Sequence, residues 1–75
     1  MPETEAHLIT KAKSYLKKSY GEDTVALTVT RNTVHTGTGA LAVDCTVTVG
    51  GHHSDWSKVF HFKNGTIVDM DYRRR

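Results

Sequence analysis

Apolar residues recur at every second position through Val25, Leu27 and Val29, and again through Leu41, Val43, Cys45, Val47 and Val49. An extended chain points successive side chains to opposite faces, so each segment reads as a strand with one face buried. Ahead of Thr24 the period differs. Leu8, Ile9, Ala12, Leu16 and Tyr20 return at three- and four-residue steps and so line one helical stripe. A change from helical to strand period at Gly21 confines the chain to the α+β class: an N-terminal helix packed on one face of a four-stranded antiparallel meander.

The helix is expected over residues 2–20. Pro2 suits a first-turn position, and Glu3 and Glu5 suit the positive end of the helix dipole. Lys11, Lys13, Lys17 and Lys18 lie off the apolar stripe, and Gly21 supplies a left-handed stop. Strands are expected at 24–35, 40–49, 54–63 and 66–72, followed by a frayed basic tail at 73–75. Val34 falls out of phase, which calls for a bulge near Arg31-Asn32 or an early strand end. Gly37-Thr38-Gly39 and Gly50-Gly51 mark the first two turns.

Two registers compete in the last hairpin. A two-residue Asn64-Gly65 turn pairs Phe62 with Ile67 but sets Asp69 opposite Phe60. A three-residue loop, Lys63-Asn64-Gly65, pairs Phe60 with Val68 and Trp56 with Tyr72. It gathers Trp56, Phe60, Phe62, Val68, Met70 and Tyr72 on one face, so it is the register expected. Lys58 interrupts that face and is expected to snorkel at a sheet edge. This order, with the aromatic strand, Asn64-Gly65 turn and returning strand of Trp56–Tyr72, resembles the cystatin-like and NTF2-like group of α+β folds. The resemblance implies an architecture and no site. NTF2-like enzymes close a conical pocket with further helices, so their catalytic acids transfer to no residue here, and the Q-x-V-x-G wedge of cystatin-type inhibitors has no counterpart.

At 75 residues the chain is a single domain near the lower size limit for folding on one core, and a covering second chain would add stability. A hydrophobic fraction of 37% and charged fraction of 24% exclude wholesale disorder. A net charge of +2 gives no general reason to expect nucleic acid. The single cysteine excludes an internal disulfide. An acidic start and the lack of a long apolar run predict a cytoplasmic protein with no membrane partner.

Candidate chemistry is sparse. His35, His52, His53 and Asp55 are the weak candidates for a metal site, but neighbouring residues in a turn point apart and no ligand-spacing motif is present. His61 with Asp69 and Asp71 offers a histidine–carboxylate arrangement on an open face, without a nucleophile or oxyanion hole. Cys45 should point into the core. Lys11, Lys17, Lys18 and Arg73-Arg74-Arg75 could contact phosphates, yet the aromatics are committed to the core, which argues against nucleic acid. No catalytic residue and no cofactor is expected.

The sequence therefore points to a small non-enzymatic binding or protein-interaction domain. Its partner would be a protein, including a second copy of itself, met through the open sheet face or an edge strand. That face is expected to present Thr28, Thr30, Thr46, Thr48, Val59, His61, Ile67 and Asp69. The alternative is a small-ligand binder or minor NTF2-like enzyme with a cleft between helix and sheet. A cleft requires some of Leu16, Tyr20, Trp56, Phe60 and Tyr72 to remain accessible.

Overall fold

The computed structural model describes residues 5–75. Helix α1 spans Glu5–Tyr20, followed by strands β1 (Asp23–Asn32), β2 (Gly39–Val49), β3 (His52–Lys63) and β4 (Thr66–Arg74). The strands form one antiparallel sheet in the order β1-β2-β3-β4, the expected meander. The expected roles of Pro2 and Glu3 lie outside the described residues. Gly21, with φ of 66°, ends the helix, and its N–H donates to the Lys17 carbonyl.

Helix and sheet meet along the predicted stripes. Leu8, Ala12 and Leu16 are buried against Leu41, Val43, Cys45, Val47, Phe60, Phe62 and Met70. Tyr15 meets Phe60 edge-on, with ring centroids 6.3 Å apart. Trp56 packs against the same core.

The departures are one-residue slips at bulges. In β1 the pairing steps from Thr24–Val47 to Ala26–Thr46, leaving Val25 as the extra residue. Val25 is therefore exposed, against its expected inward place, while Leu27 and Val29 keep theirs. A second shift, between Val29 and Arg31, lies beside the expected Arg31-Asn32 position, and the early strand end given as its alternative is also present. The strand ends at Asn32 rather than residue 35, and Val34 folds back onto the core. Val49, at the end of β2, is exposed as well.

The last hairpin takes neither simple register. Its turn is the two-residue one: Lys63 pairs with Thr66 and Phe62 with Ile67. Asn64 and Gly65 have φ of 51° and 78°, the double left-handed geometry that matches hairpin twist. A bulge at Val68 then advances the pairing, so that His61 faces Asp69, Phe60 faces Met70 and Lys58 faces Tyr72. The bulge removes the conflict that disfavoured this turn, because it carries Asp69 away from Phe60. Val68 becomes exposed and Ile67 packs on the core, reversing their expected faces.

The C-terminal arginines are not frayed. Arg73 and Arg74 pair with Ser57 and Trp56, and the Arg75 N–H donates to the Asp55 carbonyl.

The first and third turns hold each other. The Gly65 N–H donates to the Gly37 carbonyl at 2.9 Å, and the Asn64 N–H to the Thr38 hydroxyl at 3.2 Å. Gly39 lies close to the Thr33–Val34 backbone: a Cβ there would overlap the Thr33 carbonyl and come within 2.8 Å of Val34 Cα. Its φ of +142° also disfavours any L side chain. Gly39→Ala is therefore expected to destabilise the domain by at least about 1–3 kcal/mol in urea unfolding. Gly50→Ala, whose Cβ would meet nothing within 4 Å, should cost less. Equal losses would contradict the close approach at Gly39.

Candidate functional site

The helix–sheet interface is closed at its centre and open at the helix C-terminal end. Leu16 and Phe60 are fully buried, whereas Tyr20 and Tyr72 are 48% and 61% exposed and Trp56 is half-buried. Between these aromatics lies a cleft of about 170 Å³, lined by Tyr20, Glu22, Trp56, Lys58, Met70 and Tyr72. Helix α1 contributes Tyr20, the link to β1 contributes Glu22, and β3 and β4 contribute the rest.

Lys58 sits at the base of this cleft. It does not snorkel at an edge as expected, because β3 is an interior strand and its side chain is 3% exposed. Its Nζ donates to Glu22 Oε1 at 2.7 Å, and the Glu22 side chain is 13% exposed. The same ammonium lies 5.3 Å from the Trp56 ring centroid and 5.7 Å from that of Tyr20. A carboxylate and two ring faces thus replace the water lost on burial.

Trp56 is the hub of the site. Tyr72 meets its ring edge-on at 5.7 Å, and the Arg74 guanidinium lies 5.7 Å from its centroid. The indole Nε1 is buried without a hydrogen-bond partner. Buried donors are rarely left so, and the Thr24 and Thr48 hydroxyls share that status. Lys58 had been visible in the sequence as a break in an apolar stripe, but its partner Glu22 had not, since the contact spans 36 residues.

The open sheet face carries polar side chains joined in short pairs. Ser57 donates to Asp44 at 2.8 Å, Thr46 to Asp55 at 2.6 Å, and His61 Nε2 lies 2.9 Å from Asp71 Oδ2. His61 thus faces Asp69 across the strands but bonds to Asp71, and Asp69 instead accepts from the Met70 N–H. Thr28 pairs opposite Asp44, and Val59 opposite Ala42 and Asp71. Thr30 lies at the bulge and donates to the Ala42 carbonyl, while the Thr48 hydroxyl is buried without a partner. Ile67 leaves the expected set, for the register reason given above.

The metal candidates are not brought together. His52 and His53 begin β3, opposite Val49 and Thr48, and Asp55 bonds to Thr46. His35 pairs with Thr38 in the turn at the other end of β2, roughly 30 Å of strand away. Among the described residues no cluster of three or more His, Cys, Asp or Glu could hold a metal ion.

The basic residues do not form one strip either. Lys17 is paired with Asp23 at 2.9 Å and Lys11 donates to the Gly65 carbonyl at 2.6 Å. Arg74 lies over Trp56, while Arg75 reaches Asp44 at 3.9 Å. Cys45 is buried as expected, and burial pushes its thiol up, with nearby Lys58 opposing. A protonated, enclosed thiol is a poor nucleophile. Burial also pushes the Tyr15 phenol up, reinforced by Tyr20 alongside. No helix among the described residues is long and apolar enough to cross a membrane.

Set against family models, curated proteins and solved structures, the chain matches none of them. The geometry of the cleft therefore carries the functional argument.

Removing one member of a buried ion pair strands the other in low dielectric. Glu22→Ala is expected to cost about 3–5 kcal/mol in urea unfolding, and the double variant Glu22→Ala/Lys58→Met less than that single change. A double variant no more stable than Glu22→Ala would show that the two charges are not coupled.

Proposed function

We propose that this chain is a non-enzymatic binding domain whose contact point is the cleft at the helix C-terminal end. The observation that carries the reading is the Lys58–Glu22 pair, buried at the base of an aromatic-lipped opening at the helix C-terminal end. A core needing only stability would gain as much from apolar residues at those positions. Exposed Tyr20 and Tyr72 add large amphipathic surface at the mouth, as binding sites commonly do. The His61–Asp71 pair lies on an exposed surface without enclosure, which favours binding over catalysis.

The resemblance in layout to the cystatin-like and NTF2-like group fits a helix–sheet cleft as the binding position. An unpaired, buried Cys45 is compatible with a cytoplasmic setting.

Trp56, the chain's single tryptophan, reports on the cleft directly. Three single-ring probes of different charge, benzoate, benzyl alcohol and benzylammonium, should be titrated while Trp56 emission and NMR shifts are followed. At least one is expected to perturb Tyr20, Trp56 and Met70 together, and Tyr72→Ser should weaken it severalfold. Silence of these residues toward all three probes would defeat the proposal.

A second reading rests on a separate observation: among the described residues, nothing covers the sheet face away from α1. That face mixes Asp44, Asp55, Asp69 and Asp71 with Arg73 and Arg75 around Val59. Both signs on one patch are what a two-fold contact between identical faces requires. On this reading the protein partner is a second copy, and neither nucleic acid nor a membrane is involved. Sedimentation over a concentration series should show dimer mass that Val59→Glu reduces to monomer. A constant monomer mass for the unaltered chain would refute it.

A further inference from the structure

We infer that the cleft selects a small aromatic anion, a carboxylate on a single ring, with Lys58, Arg74 and the Trp56 indole N–H as its recognition groups. This rests on the cleft being a binding site at all, and adds the chemistry of its occupant.

The size is set by the volume. About 170 Å³ is close to the roughly 150 Å³ apolar cavity that accepts one benzene. The lining includes Tyr20, Tyr72 and Met70, which suit a flat apolar group.

The charge follows from what is already present. A ring of aromatics beside a carboxylate would ordinarily attract a cation. Here that position is filled: the Lys58 ammonium contacts the Trp56 and Tyr20 rings and Glu22 at once. A ligand cation would have to displace a lysine tethered to β3. Lys58 and Glu22 cancel, but Arg74 contacts the same indole ring and has no carboxylate partner among the described residues. Arg74 is not part of the cleft wall, but through its place on the Trp56 ring it sets one unbalanced positive charge beside the cleft.

Donors are left unmatched as well. An ammonium has three N–H groups, of which one is matched to Glu22. Trp56 Nε1 has no acceptor. A carboxylate brings acceptor lone pairs and no donor, which corrects both imbalances at once.

The test compares benzoate, benzyl alcohol and benzylammonium on the full chain by Trp56 emission, at low and moderate salt. Benzoate is expected to bind about tenfold more tightly than benzylammonium, as charge-assisted hydrogen bonds require. The preference should shrink as salt is raised. Arg74→Gln, an exposed position whose change leaves the core intact, should reduce the preference for benzoate over benzylammonium severalfold. Lys58→Met/Glu22→Ala, checked for folding by circular dichroism, should weaken benzoate severalfold by removing the ammonium donors, while the part of the preference that rests on Arg74 persists. Equal binding of all three probes, or a preference for benzylammonium, would overturn the anion while leaving the cleft as a binding site. No binding by any probe would remove the cleft reading, and this inference with it.

Discussion

One helix cannot cover this sheet, and most of the molecule's character follows from that mismatch. Sixteen helical residues extend about 24 Å, whereas the twelve residues of β3 extend about 40 Å. The long dimension of the domain is 38 Å, so the strands set it. Where the helix lies over the sheet, Leu8, Ala12 and Leu16 seal a dry centre against Phe60 and Phe62. Where it ends, the sheet continues bare, and the inward-facing residues of β3 and β4 must meet water or something else. Trp56, Lys58 and Tyr72 occupy that overhang.

Lys58 illustrates how the overhang is managed. An apolar residue there would extend the core toward the opening, and an unpaired lysine would carry a large desolvation cost. Glu22 reaches it from just beyond the helix stop, so the turn that ends α1 also supplies the counter-charge. The pair ties the helix end to the interior strand of the sheet and places charge beneath the aromatic lips. Core packing and site chemistry are thus the same contact viewed from two sides.

Periodicity makes the helix, the four strands and the buried set Leu41, Val43, Cys45, Val47, Phe60 and Phe62 legible in the sequence alone. It failed at Val25, Val68 and Ile67, and for one reason. A bulge inserts a residue without a compositional mark, so the face of every residue on one side of it changes. The Asn64-Gly65 turn was visible, but its conflict with Asp69 was resolved by a bulge that alternation does not encode. Arg73 and Arg74 read as a tail because charged residues lack an apolar phase, although backbone pairing with Ser57 and Trp56 does not depend on side-chain type. The Lys58–Glu22 contact was hidden for a different reason. No local rule brings together residues from a turn and an interior strand, and so the candidate site emerged only from the assembled chain.

The bulges also bear on which surfaces are available to a partner. Both outer strands are interrupted: β1 twice, between Thr24 and Ala26 and between Val29 and Arg31, and β4 at Val68. A bulge bends the strand and breaks the regular row of edge N–H and C=O groups that another strand would need. Val25 and Val68 are exposed at these irregular points, where a flat ladder cannot form across them. Edge-to-edge association is thereby opposed on both sides of the sheet. Two other surfaces differ from these edges in kind: the polar face with its mixed charges, and the aromatic opening beyond the helix. The first is broad, wet and already internally hydrogen-bonded through the Ser57–Asp44 and Thr46–Asp55 pairs, so a partner must compete with bonds in place. The second also holds a buried donor without a partner in the protein, the Trp56 indole N–H, as the first holds the Thr48 hydroxyl; what sets it apart is the Lys58–Glu22 pair at its base.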